Sequence, residues 1–285
     1  MKKKWLLFAL VTTLAWGIWG ALIEIPEKQG FPATFGYIVW ALSMIPCAIV
    51  ALCIVKWKIE YDLKSIILGC LVGFLGAGGQ LILFEALRLG PAYIIFPFVS
   101  MSPVVTIFLS LVFLKEKANN IQKLGIIVAL LAIFFLSVQP ADSGMSGYTW
   151  IIMASLVFFM WGIQAYIMKF ANRTMKAESI YVYMAITAIV LAPFAYYMTD
   201  LNASINMDPK VVSFAFFIQM LNAIGALTLV YAYRYGSAII VSPMTGLSPL
   251  ITIILSLIIY AVFPSTMLFI GLVLATIALL ALSRE

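Results

Sequence analysis

The sequence predicts an all-α membrane protein of ten transmembrane helices arranged as two inverted five-helix repeats. Three observations carry this. Of the 285 residues, 65% are apolar and 10% are charged, whereas soluble domains carry about a quarter charged residues. Ten apolar runs of spanning length follow one another with only short gaps. The stretch Ala86–Leu111, ALRLGPAYIIFPFVSMSPVVTIFLSL, returns as Ala232–Leu257, AYRYGSAIIVSPMTGLSPLITIILSL, at an offset of 146 residues without gaps.

Composition excludes several function classes. A chain this apolar cannot cover itself with polar groups, so lipid must solvate most of its surface. The formal net charge of +6 does not argue for nucleic acid, because the basic residues sit in the gaps between apolar runs, where anionic lipid headgroups lie. There is no histidine, which removes imidazole relays, imidazole metal ligands and Ser-His-Asp triads. Cys47, Cys53 and Cys70 lie in apolar runs without CxxC spacing. Neither a metal nor a disulfide framework is expected, and no cofactor is implied. The three read as small core or lipid-facing residues.

A span needs about 20 apolar residues. The candidates lie near 5–23, 33–55, 65–85, 91–113, 121–139, 149–169, 179–198, 210–232, 237–260 and 264–282. Lys2, Lys3 and Lys4 before the first run resemble the start of a signal peptide, but Trp5–Ile23 is long enough to span and no small-residue cleavage site follows it cleanly. It reads as a first transmembrane helix. Gly90-Pro91 and Gly236-Ser237 break runs that hydropathy alone would merge. With the N-terminus cytoplasmic, every Lys and Arg except Lys28, Arg88 and Lys210 falls on the cytoplasmic side. The positive-inside rule therefore predicts a multi-pass protein of the inner (plasma) membrane with both termini in the cytoplasm.

In the duplicated stretch, 13 of 26 positions are identical, where chance gives about two. They include Arg88/Arg234, Gly90/Gly236, Pro97/Pro243, Ser102/Ser248 and Pro103/Pro249. Trp16-Gly17-Ile18 also recurs as Trp161-Gly162-Ile163. The expected units are residues 1–140 and 141–285. Each holds five spans, and an odd number makes the second unit enter the membrane from the opposite side, which is the architecture of many secondary transporters.

LAWGIWG at Leu14–Gly20, together with A-x-R-x-G leading into a helix with two spaced prolines, resembles the drug/metabolite transporter superfamily, and within it the EamA-like branch. The resemblance covers the whole chain. It implies a secondary transporter with a central cavity lined by spans 1, 3, 4, 6, 8 and 9, which here hold Trp16, Gln80, Pro97, Gln164, Asn222 and Pro243. Two features depart from the family pattern. Glu116 keeps an acidic turn after the fourth span, whereas Ala261-Val262-Phe263 lacks one after the ninth. The second span also lacks a frequent embedded arginine, since Ile38–Leu42 is wholly apolar.

Polar groups within spans need a reason, because their transfer into hydrocarbon costs free energy. Glu85, whose repeat counterpart is Tyr231, has two readings: a proton-coupling or cation-binding carboxylate, or an interfacial partner of Arg88 three residues on. Glu24 and Lys169, themselves repeat partners, sit at span ends, where snorkelling or solvation accounts for them. Gln80 and Asn222 lie one turn apart on equivalent faces, and Gln164 and Gln219 pose the same question. All four amides fit either hydrogen bonding between helices or contact with a solute, with Gln219 the weaker candidate near a span end. Gly73, Gly76, Gly78 and Gly79 crowd the third span and read as a close-packing face. Pro97, Pro103, Pro243 and Pro249 are expected to bend two symmetry-related helices, shaping a cavity and serving as hinges. Ser100, Ser102, Thr245 and Ser248 stand beside them, of which Ser100 and Thr245 are the hydroxyl candidates for solute contact.

The expected function is secondary active transport of a small organic metabolite or drug-like solute by alternating access, in the export direction. Protons are the candidate coupling ion, and the protein is a monomer or homodimer in the bilayer. Two alternatives stand beside this: an uptake porter for a sugar or similar solute, and a non-transporting membrane sensor or assembly subunit. An enzyme would need catalytic groups gathered at one depth, which the sequence does not offer.

Overall fold

Lipid offers the backbone no hydrogen bonds, so each spanning segment must satisfy its own, and the chain responds with helices throughout. The structure is a computed structural model that describes residues 4–89, 95, 98–137, 149–260 and 265–282, leaving aside the side chains of residues 24, 88, 256 and 260. Its helices are α1 (Lys4–Leu22), α2 (Glu24–Lys28), α3 (Ala33–Ile54), α4 (Leu63–Leu89), α5 (Pro103–Phe113), α6 (Asn120–Ser137), α7 (Thr149–Ala171), α8 (Ala177–Tyr197), α9 (Pro209–Tyr235), α10 (Ala238–Thr245), α11 (Ser248–Tyr260) and α12 (Thr266–Leu282). Seven segments are long and apolar enough to cross a membrane. Phe98–Phe113, Asn120–Leu136 and Thr266–Leu282 are shorter apolar helices that complete ten. Large apolar side chains point outward, with Ile152 and Phe217 each 70% exposed, a surface suited to lipid and not to water.

Local sequence sets several helix ends. Asp208 caps α9 by accepting the Lys210 N–H at 2.8 Å, with Pro209 in the first turn. Gly236 ends α9 with extended backbone, and a Cβ there would sit 2.9 Å from the Cβ of Trp5. The fourth and ninth spans are not smoothly bent. Turns at Met101–Ser102 and Gly246–Leu247 break them, and Pro103 and Pro249 stand in the first turns of α5 and α11. There a proline loses nothing, because the N–H it lacks would be unpaired anyway. Pro243 lies within α10, and Pro97 lies outside the described residues.

Packing follows a two-fold exchange of partners. The packing of α1 on α9 is matched by α7 on α4, and that of α3 on α9 by α8 on α4, while α1 meets α10 and α11 as α7 meets α5. The last spans of the two repeats, α6 and α12, pack on each other, with Gly125 against Ala281 and Leu282 and Gly271 against Leu136, and with Ala129, Ala132, Ala275 and Ala278 all buried. Without a hydrophobic force between helices in lipid, such close approach supplies the van der Waals energy of association. The two halves are thus two five-helix repeats in inverted relation.

Candidate functional site

The duplicated motifs meet across the interface between repeats, and each contact is made twice. Trp16 Nε1 donates to the Asn222 carbonyl at 3.3 Å, and Trp161 Nε1 donates to the Gly76 carbonyl at 3.3 Å. Position 76 is the repeat counterpart of position 222. Both indoles lie so close to a glycine that a Cβ on Gly225 would stand 2.5 Å from Trp16 Cδ1, and one on Gly79 would stand 2.6 Å from Trp161 Nε1. Thr252 Oγ1 donates to the Gly17 carbonyl and Thr106 Oγ1 to the Gly162 carbonyl, each at 2.9 Å. The glycine of each Trp-Gly-Ile motif therefore seats on the Ser-Pro turn region of the opposite repeat.

Several polar candidates are spent within the fold. Gln219 is buried and accepts from Trp19 Nε1 at 3.0 Å. Thr245 is buried, and its hydroxyl returns to the Val241 and Ser242 carbonyls of its own helix. The glycine face of α4 behaves as a packing surface: Gly69, Gly73, Gly76 and Gly79 admit Tyr183, Thr187, Gln164 and Trp161 respectively. Cys47, Cys53 and Cys70 are free thiols, Cys47 buried and Cys53 exposed. Among the described residues no group of His, Cys, Asp or Glu could hold a metal ion.

Three amides are not spent. Among the described residues nothing hydrogen-bonds the side chains of Gln80, Gln164 or Asn222, and each is half-buried within a spanning helix. The Gln164 amide lies against Gly76 of the opposite repeat, one turn before Gln80. Asn222 offers its carbonyl to Trp16, so its side chain starts from the same inter-repeat seam. Ser100, half-buried, also makes no side-chain hydrogen bond among the described residues. Glu85 is half-buried in the last turns of α4 and has an interaction partner. Its expected partner Arg88, like Glu24, has its side chain outside the described residues.

Lys169 departs from its sequence reading. Its ammonium does not snorkel outward but turns inward, donating to the Tyr233 and Gly236 carbonyls at the end of α9. Around it, Arg234 Nη1 donates to the Asn172 and Met175 carbonyls, each at 2.8 Å, and Arg173 Nη2 reaches the Leu114 carbonyl at 3.4 Å. Glu116 accepts the Ile239 N–H at 3.1 Å, at the N-terminus of α10. Burial pushes the Glu116 carboxyl above the usual carboxylate range, against the opposing pull of that N–H and of Lys169 and Arg173. On the neighbouring loop, Glu60 accepts from Ser179 Oγ and the Lys176 N–H and pairs with Lys176 Nζ at 3.6 Å. These ties join the loops after the second, fourth, sixth and eighth spans, so the basic residues of those loops occupy one end of the bundle and that end is cross-bonded. Sequence gave no signal for this lock beyond the retained acid at Glu116. Thr106 and Thr252 did stand among the repeat identities.

This architecture defines a multi-pass membrane transporter built from a duplicated five-span unit, with polar amides along the seam between its copies. Comparison with known proteins makes the assignment specific. The EamA-like transporter family matches the chain twice, over residues 3–138 and 148–284, so the chain belongs to that family and is not an enzyme. An uncharacterized protein of Methanocaldococcus jannaschii is 34% identical over 100 residues, covering 34% of this chain and 71% of that protein. An uncharacterized transporter of Archaeoglobus fulgidus is 23% identical over 233 residues, covering 78% of this chain and 79% of that one. A solved crystal structure superimposes with a TM-score of 0.76 at 14% identity over 96% of this chain and 97% of its own, a likeness of fold.

Proposed function

We propose that this transporter exports a small organic solute across the inner membrane along the seam between its two repeats, with both termini in the cytoplasm. The observation that carries the reading is the set of unpaired amides of Gln80, Gln164 and Asn222 within spanning helices. An amide left unpaired in hydrocarbon costs several kcal/mol, so a role in holding the bundle together would have left these groups bonded to it. A solute's own donors and acceptors supply what the fold withholds; Trp16 stands along the same seam, and the Ser100 hydroxyl is a further candidate contact.

Alternating access fits a seam built from two copies of one contact set, since rocking one repeat on the other can exchange which end is open. The breaks before Pro103 and Pro249, with Pro243 and Pro97 near them, serve as the hinges. The cross-bonded basic end, built on Lys169, Arg234, Arg173 and Glu116, is the closed cytoplasmic gate. Glu85 is the coupling carboxylate, exchanging a proton with the side opposite that gate.

The test is flux in liposomes. Purified protein should move at least one solute from a panel of neutral, zwitterionic and amphipathic metabolites, and Asn222→Ala should raise the apparent KM with normal insertion. A protein inactive toward every class overturns the transport mechanism stated here. An Asn222→Ala protein lost from the membrane assigns that amide to packing.

A further inference from the structure

At the basic end of the bundle, the ends of α3, α8 and α9 enclose an open cleft of about 390 Å³. It is lined by Lys56, Lys176 and Arg234 against a single carboxylate, Glu178. Glu178 is engaged by the Tyr231 hydroxyl at 2.7 Å, and Lys176 leans toward Glu60 at 3.6 Å. Lys56 is exposed, and among the described residues its ammonium has no partner. Fixed positive charge in the cleft thus exceeds negative charge.

The rim is apolar where the helices enter the bilayer: Ile54 is 57% exposed and Tyr235 is half exposed. Beside them Trp57 is 65% exposed, an aromatic at the depth where headgroups lie. Lys4 lies over the Tyr235 ring, 5.7 Å from its centroid, adding a further cation to this end. Lys56 and Trp57 are held at φ of 54° and 60°, a left-handed conformation that side chains other than Gly, Asn and Asp adopt at a cost. That turn carries the Lys56 ammonium at the cleft while Trp57 stands at the interface.

We propose that this cleft binds the phosphodiester headgroup of an anionic membrane lipid, with Lys56 and Arg234 as its charge partners. A soluble phosphate would use the same cations, but it would have no use for the exposed Ile54 and Tyr235 at the rim or for Trp57 beside them. Acyl chains bury those groups. The inference is independent of which solute the seam carries.

The experiment uses the full-length protein in a mild neutral detergent. Thermal unfolding is followed against phosphatidylglycerol, phosphatidylcholine and glycerol phosphate, and native mass spectrometry counts retained lipids. Phosphatidylglycerol should stabilise the protein and phosphatidylcholine should not, and 0.5 M salt should abolish the difference. Lys56→Asn keeps a residue that tolerates positive φ while removing the charge. It should weaken phosphatidylglycerol binding about five-fold and leave the lipid-free unfolding temperature unchanged. Equal stabilisation by the two lipids overturns the proposal, as does Lys56→Asn binding like wild type. Equal stabilisation by glycerol phosphate assigns the cleft to a soluble phosphate and overturns the lipid reading.

Discussion

Replacing Gly17 or Gly162 by Ala probes the seam at its narrowest points. A Cβ on Gly17 would stand 2.8 Å from Ile251 Cγ2 and 3.0 Å from the Ser248 carbonyl oxygen, and closer still to Ile251 Cβ. On Gly162 the same atom would meet the Ser102 carbonyl oxygen at 2.8 Å and Val105 Cγ1 at 2.9 Å. Carbon atoms rest about 3.5–4.0 Å apart, so the overlap approaches 1 Å. The obstructing atoms are backbone oxygens and Cβ-branched groups anchored at the main chain, which cannot swing away. The helices must separate instead, and overpacking of this kind costs about 1–3 kcal/mol.

Intrinsic propensity pulls the other way, because Ala favours a helix over Gly by about 1 kcal/mol. A glycine without a packing role would therefore be stabilised by the change. Gly78 is the internal control: its nearest neighbour would be the flexible end of Met160 at 3.4 Å. Thermal unfolding in detergent, followed by tryptophan fluorescence, should show Gly17→Ala and Gly162→Ala lowered by several degrees and by similar amounts. Gly78→Ala should be unchanged or raised. An unfolding temperature for Gly17→Ala at or above wild type would refute the exchanged-contact reasoning.

Other outcomes follow from the same structure. Thr106→Val and Thr252→Val each remove one equivalent hydroxyl bond to a carbonyl of the opposite repeat. Each should cost about 0.6 kcal/mol, the usual value for such bonds in membranes, and chemical denaturation in detergent would measure both. Glu60 is held below the usual carboxylate range: burial pushes it up, and the hydrogen bonds from Ser179 and Lys176 outweigh that. A lowered folded-state value means the ionised form stabilises the fold. That contribution is present above about pH 4.5 and is lost as pH falls through the lowered value. Glu60→Gln should therefore flatten the stability profile in this acid window and lower stability at neutral pH, the two proteins converging only once wild-type Glu60 is protonated. Glu85→Gln should abolish flux driven by a pH gradient in liposomes, and unchanged flux would leave Glu85 a structural role alone.

The ten spans were legible because lipid forces length and hydropathy onto every spanning helix, and the repeat resolved the boundaries at Gly236 that hydropathy merges. The prolines signalled a disturbance in the fourth and ninth spans. They did not signal that the helices would restart at Pro103 and Ser248, since a proline in a first turn and one at a kink look alike in sequence. Trp16 and Trp161 were legible as repeated residues but their acceptors were not, because a backbone carbonyl exists at every position. Lys169 was misjudged for a physical reason: one cation near a span end suits both a headgroup and a turn of free carbonyls, and sequence does not show which face it takes. The two threonines carried a usable signal, as identical polar residues in facing copies, within a run where half the positions matched.

The most direct measurement places a thiol on the seam. In a protein with Cys47, Cys53 and Cys70 replaced by Ala, Asn222→Cys should react with a membrane-impermeant thiol reagent from one side of the bilayer, and transported solute should slow that reaction. Cysteine at Ile152, which faces lipid, should stay unlabelled. If Asn222→Cys is unreactive from both sides in a folded protein, the amide lies in a sealed helix contact, and the path between the repeats runs elsewhere or does not exist.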